Sequence, residues 1–273
     1  MKLDLGGVAR DTATGVARAW PWLVFAVLFR MAGDLAEIRI DIALTELDPS
    51  RQGMRSDSLS ILIVREVLDG LVLGVVVAAV LHALGVLPGG RLARGLRAWP
   101  TAFATGLIWA LPFLASAGMD ASAGMRPNGI GFGVSVVGSV TLVAAVAALI
   151  LSVFLGYATG GAVVRGTGVI ASVRDSLRLT RGHGWRLLLV TVGLMMFAGL
   201  AKYGGDILFG VIRGPWTSFA AESLTVRSAS VLSMVVGAAV WANLDRMRRR
   251  ENPNGMALAG PEKERESVAG QFD

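Results

Sequence analysis

The chain has 273 residues, 53% of them hydrophobic and 17% charged, with a formal net charge of +6 and no cysteine. Soluble domains are typically about one quarter charged, so a mean hydropathy of +0.60 makes lipid the expected medium for most side chains. The absence of cysteine excludes disulfides, thiolate metal sites and cysteine nucleophiles, and the basic pI of about 10.6, with no soluble basic domain to carry it, points to an anionic membrane surface instead of nucleic acid.

Crossing roughly 30 Å of hydrocarbon takes about 20 helical residues, and uncharged runs of that order predict six spans in an all-α polytopic transmembrane bundle. The first, Ala19–Ala32, follows Lys2, Arg10 and Arg18 and is short. It spans if Arg18 and Arg30 reach toward opposite interfaces. A signal peptide is the rival reading, set aside because no small-residue cleavage site follows and residues 34–57 are strongly charged. In that outer segment Asp34, Glu37, Asp41, Glu46 and Asp48 offset Arg39 and Arg51. The second span, Val67–Val86, is entered through Arg65, Glu66 and Asp69. Arg65 and Asp69 are four apart and can pair on a helix, and ionisable groups at membrane depth are default site candidates, although a snorkelled interfacial pair is the blander reading. Gly70 and Gly74 form a G-x-x-x-G step that permits close helix contact, and His82 reads as snorkelling or helix-bonded.

Arg91, Arg94 and Arg97, with no acid among them, precede the third span, Pro100–Gly118; Asp120 and Arg126 lie beyond it. The fourth run, Gly131–Val164, is longer than a straight crossing, so a tilt, a kink at its glycines or an extension past the hydrocarbon is expected. Gly166 to Ala171 has the letters of a dinucleotide fingerprint but follows a membrane helix, not a strand. From Gly168 to Gly182, Ile170, Val173 and Leu177 recur at helical spacing on one face, and Arg174, Arg178 and Arg181 on another. This predicts an interfacial helix stopped by Gly182, its apolar stripe at the headgroup boundary and its guanidiniums toward lipid phosphate. With Trp185 and Arg186 it is the candidate site for lipid headgroups or a partner; the plainer reading is that these arginines fix topology. The fifth span is Trp185–Ala201. Lys202, Asp206, Arg213, Glu222 and Arg227 nearly balance before the sixth, Ser228–Leu244, and Arg246, Arg248, Arg249 and Arg250 follow it.

The basic clusters fall on one side of this scheme, which places both termini in the cytoplasm of a bacterium and requires an even number of spans in the plasma membrane. Arg18-Ala19-Trp20-Pro21 recurs as Arg97-Ala98-Trp99-Pro100, and Gly184-Trp185-Arg186 is a looser third copy. Each leads from a basic segment through a tryptophan into an outgoing helix, so the chain reads as three helical hairpins, with each proline in a first helical turn. Residues 1–250 form one membrane domain, and 251–273 a disordered cytoplasmic tail.

The run Ala171-Ser-Val-Arg-Asp-Ser-Leu-Arg-Leu-Thr-Arg-Gly182, with Trp185, resembles the Ala-Leu-x-x-Ser-Trp-x-Leu-Thr-x-Gly-x-x-Trp element of a bacterial family that includes the membrane domain of some glycerophosphodiester phosphodiesterases. The end of the last span, Ala242 to Arg249, is similar to that family's closing Tyr-x-Asp-Leu-Arg-x-Arg element. Leu177 stands where the family has an aromatic residue, and Trp241 and Asn243 where tyrosines are common. The resemblance implies a membrane domain without chemistry of its own, since the phosphodiesterase activity of fused members resides in a separate soluble barrel. No stretch of these 273 residues reads as that barrel.

Elsewhere no G-x-S-x-G, H-E-x-x-H or phosphate-loop motif occurs, and His82 and His183 are the only histidines, so no catalytic constellation, metal or cofactor is expected. The reading is a non-catalytic membrane scaffold, or a protein of envelope or lipid homeostasis, whose partners are the bilayer, its anionic lipids or another membrane protein. A small transporter using Arg65, Glu66 and Asp69 is the alternative, followed by an intramembrane lipid enzyme.

Overall fold

The computed structural model describes residues 3–47, 59–87, 89–107, 130–209 and 215–251, and the regular structure among them is entirely α-helical. The helices are α1 (Leu5–Leu47), α2 (Leu59–Ala83), α3 (Arg91–Arg97), α4 (99–107), α5 (Ile130–Leu155), α6 (Ala158–Arg165), α7 (Val169–Thr180), α8 (Gly184–Phe209) and α9 (Pro215–Glu251). The outer half of the third predicted span, Asp120 with Arg126, Arg213 and the tail after Glu251 lie outside the described residues.

Three segments are long and apolar enough to cross a membrane: Leu142–Arg165, Gly184–Gly205 and Ala220–Glu251. They overlap the predicted fourth, fifth and sixth spans, so the described helices supply three membrane-length apolar segments where the sequence predicts six. The first two predicted spans lie in α1 and α2. The apolar stretch of α1 is bracketed by Arg18 and Arg30, and α2 spends its apolar run on the protein core, with Val76, Ala78, Val80 and Leu81 fully buried.

α1, α2 and α9 pack together as the centre of the fold. Asp11 meets Arg246 near one end of α1 and Asp34 meets Arg227 near the other, so α1 and α9 run antiparallel along most of their lengths. Arg18 reaches the carbonyl of Ala83 and Arg30 reaches Asp69, which makes α2 antiparallel to α1 as well. The neighbours α1 and α2, and α8 and α9, are in contact, and the first and last helices are joined as well, through one core that includes Val76, Val80, Val235, Val240 and Trp241. Apolar side chains interdigitate wherever they fit most densely, and chain neighbours have no privilege in that packing.

Gly70 and Gly74 do permit close contact. A methyl carbon on Gly74 would lie 2.4 Å from the Gly95 carbonyl oxygen in α3, and one on Gly70 would lie 2.9 Å from the Phe103 nitrogen in α4. The expected kink in the long fourth run is a helix break at Gly156–Tyr157, between α5 and α6. Ser176 of α7 donates to the Phe154 carbonyl there at 2.6 Å, supplying a partner near the C-terminal end of α5. The buried Trp241 indole lies across Gly160, where a methyl would stand 2.5 Å from its Cγ. Gly166 (φ 67°) ends α6 with its N–H on the Ala162 carbonyl, and Gly182 (φ 87°) follows α7 as the predicted stop. Both occupy the left-handed region that favours glycine.

The two closest repeat copies share a burial pattern. Ala19 and Ala98 are buried, whereas Arg18, Trp20, Arg97 and Trp99 are exposed. Pro100 stands in the first turn of α4 as expected, but Pro21 lies inside α1, because that helix begins at Leu5. Proline removes one helical donor, yet α1 runs on through it, and the segment before it packs Gly15 against Val80 and Val235.

Outside the core the surface is strongly apolar. Leu142 and Val143 of α5 and Met196, Leu200 and Tyr203 of α8 are each about two-thirds exposed or more. Contiguous apolar exposure of this kind is costly in water and calls for a hydrocarbon or protein neighbour.

Candidate functional site

The charged residues within the helical bundle form two networks at its opposite ends. At the end near residue 30 of α1, the Arg30 side chain is only 7% exposed. Its Nε and Nη2 reach the two carboxylate oxygens of Asp69 at 2.6 Å each, and its Nη1 donates to Ser230 at 2.6 Å. This corrects one expectation: Asp69 pairs with Arg30 and not with Arg65, because a buried guanidinium needs a full set of acceptors and the neighbouring helices supply them. Arg65 instead stands 3.9 Å from Glu37.

One turn further along α1, Asp34 accepts from Nε and Nη2 of Arg227 and, at 2.6 Å, from Ser223. Burial pushes the Asp34 carboxyl up, but the hydrogen bonds from Arg227 and Ser223 and the Arg227 charge outweigh it and hold the group below the usual aspartate value of 3.8. Glu66 is half-buried and makes no hydrogen bond or ion pair among the described residues; its Oε2 faces Gly106 of α4. The three predicted residues are thus near one another but do different things: Asp69 anchors α1, Arg65 forms a loose exposed pair, and Glu66 stands apart.

The second network joins the two sequence elements that carry the family resemblance. Arg165, at the end of α6, bonds Asp175 of α7 and, at 3.1 Å, Asp245 of α9. Asp245, only 1% exposed, also accepts from Arg249 at 2.7 Å, and Arg248 stands 3.9 Å from Asp175. Several arginines read only as topology determinants are therefore structural ties. Arg246 bonds Asp11 at 2.7 Å, Arg94 donates to the Val164 carbonyl, and Arg91 lies over the Trp22 ring. His82 Nδ1 lies 3.0 Å from the carbonyl oxygen of Leu87, which stands in the turn after α2 and outside the helix.

The predicted interfacial helix is α7. Its buried face consists of Ser172, Ser176, Leu179 and Thr180, with Asp175 beside them, so the side of the helix turned to the protein is mostly polar. Ile170 (78% exposed) and Leu177 face outward, and Arg174, Arg178 and Arg181 are exposed next to them. Among the described residues none of these three guanidiniums makes a hydrogen bond or ion pair. Trp185, at the start of α8, is 71% exposed. Arg186 departs from the expectation: it is half-buried and donates to the Leu3 carbonyl, tying the start of α8 to the start of the chain. Of the five residues predicted to contact lipid or a partner, four are therefore exposed, and Arg186 belongs to the packing.

Sequence reasoning missed Arg30, Asp34, Arg227 and Ser230 at one end, and Arg165, Asp175 and Asp245 at the other. A charge inside or beside an apolar helix demands a partner, and Arg30, Arg227 and Asp245 each carried that signal.

No curated protein and no solved structure matches the chain. The family described as Domain of unknown function (DUF7847) matches residues 5–244, nearly the whole described fold, and the chain belongs to that family.

Proposed function

We propose that the protein is a non-catalytic integral component of a bacterial cytoplasmic membrane, crossing it six times in three helical pairs with both ends in the cytoplasm. In this reading its cytoplasmic rim holds anionic lipid or a membrane-protein partner in envelope or lipid homeostasis. The observation that carries it is the outward surface of α7, where three arginines with no hydrogen bond or ion pair among the described residues stand with exposed Ile170 and Leu177, and exposed Trp185 follows at the start of α8. Guanidiniums at an anionic leaflet contribute about 1 kcal/mol each at low salt, and apolar neighbours anchor the helix at headgroup depth. Kinship with the phosphodiesterase membrane domain is part of the proposal, supported by the meeting of its two motif elements at Asp175 and Asp245.

The test is reconstitution into nanodiscs with and without phosphatidylglycerol, followed by competition for bound anionic lipid. The triple variant Arg174→Gln, Arg178→Gln, Arg181→Gln is expected to lose up to roughly 100-fold in anionic preference, an effect that salt diminishes. An unchanged preference in that variant would remove the basis for the reading. A transport role is the second reading, favoured by Glu66, which is half-buried and unpaired among the described residues. Uptake into vesicles that Glu66→Gln abolishes is the result that would move the conclusion there.

A further inference from the structure

We infer that the outward strip of α7 is a site for a lipid carrying two linked phosphates, a cardiolipin-type headgroup, in preference to lipids with a single phosphate. The inference rests on the membrane reading above and specifies which anionic lipid this helix takes. The exposed positions of α7 include Ile170, Arg174, Leu177 and Arg178, which helical spacing puts on one side, opposite the buried Ser172, Ser176 and Leu179. Arg174 and Arg178 are one turn apart, a spacing that brings Cβ atoms to about 5–6 Å. Neither makes a hydrogen bond or ion pair among the described residues. The acid of the same helix does not neutralise them, because Asp175 is turned inward and bonded to Arg165.

Two neighbouring guanidiniums without an acid repel each other, and an anion that satisfies one leaves the other unpaired. A phosphodiester carries one charge shared by two free oxygens, and the planar fork of a single guanidinium takes both of them. One such lipid therefore neutralises Arg174 or Arg178, and a second must be brought in at full translational cost. Where two phosphodiesters are joined through one glycerol, contact at the first arginine holds the second phosphate near the next helical turn, and the second contact becomes intramolecular.

The strip is apolar as well as cationic, which selects a lipid over a soluble diphosphate. Ile170 and Leu177 are exposed between and beside the arginines, and α5, which packs against α7, exposes Ile150 and Leu151 in its last two turns. Exposed aliphatic side chains next to the cations offer acyl chains an apolar neighbour. Arg181 stands outside the pair: it follows the last residue of α7 with an extended backbone, so helical spacing does not set it in register with Arg174 and Arg178.

Phosphatidylcholine nanodiscs holding the full chain are doped with tetraoleoyl cardiolipin or with dioleoyl phosphatidylglycerol at equal total phosphate, and the lipid retained by the protein is read by native mass spectrometry. The wild type is expected to retain cardiolipin about tenfold more strongly. Arg174→Gln and Arg178→Gln, at exposed positions that leave folding intact, should each bring the ratio to within about twofold of equality. Arg181→Gln removes the same charge and should leave the ratio unchanged, and sodium pyrophosphate at matched concentration should not displace the lipid. Equal retention of the two lipids by the wild type, a ratio unmoved by Arg174→Gln and Arg178→Gln, a ratio that Arg181→Gln lowers as far as Arg178→Gln does, or displacement by pyrophosphate would each overturn the inference. If phosphatidylglycerol is retained over phosphatidylcholine while cardiolipin gains nothing at equal phosphate, this inference fails alone; if neither anionic lipid is retained over phosphatidylcholine, the lipid reading of α7 fails with it.

Discussion

Replacing Arg30 with Met removes one half of a buried ion pair and leaves Asp69, with a side chain only 21% exposed, facing an apolar residue. The structure sets the size of the effect. Arg30 makes two contacts of 2.6 Å to the Asp69 carboxylate and one to Ser230, across the central packing of α1, α2 and α9. Breaking such a pair from one side costs about 3–5 kcal/mol, whereas exchanging both partners for apolar residues of similar size is often neutral. Arg30→Met is therefore expected to lose about 3–5 kcal/mol, and the double variant Arg30→Met with Asp69→Leu to recover to within about 1 kcal/mol of wild type. The assay is reversible unfolding of the detergent-solubilised protein in mixed micelles, arranged as a double-mutant cycle. A snorkelled, exposed pair contributes only about 0–1 kcal/mol, so a single variant within that range, or a double variant as poor as the sum of the singles, would refute the buried-pair reasoning.

The Asp34 carboxyl lies below its unfolded value of 3.8 in the folded state, so its contribution is complete above that value and is lost as the pH falls through the lower folded value. Thermal melts between pH 7 and pH 2.5 should show a wild-type decline in the acid range that is shallower in Asp34→Asn. Gly74→Ala puts a methyl 2.4 Å from the Gly95 oxygen, and separation of the two backbones is expected to cost about 1–3 kcal/mol, measured as a lower midpoint of unfolding. Asp245→Asn leaves Arg165 and Arg249 short of their shared acceptor and should cost about 2–3 kcal/mol in the same assay. Arg174→Gln, fully on the exposed face of α7, should change stability by less than about 0.5 kcal/mol.

Composition and apolar runs determined by themselves that the chain is helical and rich in membrane-length segments, because hydropathy is a property of each residue and sums along the chain. Periodicity likewise located α7 and its exposed arginines, glycine spacing marked the close contact of α2 with α3 and α4, and the excess length of the fourth run called for a tilt, a kink or an extension, of which the structure shows a break at Gly156–Tyr157. What the tertiary structure alone decided is who neutralises whom. The i, i+4 geometry of Arg65 and Asp69 was legible, yet Arg30, 39 residues earlier, holds Asp69, and Arg186 looks like any interfacial arginine until the Leu3 carbonyl stands beside it. A buried charge takes the partner that packing brings within about 3 Å, and that distance depends on how α1, α2, α8 and α9 cross, which residue order does not contain.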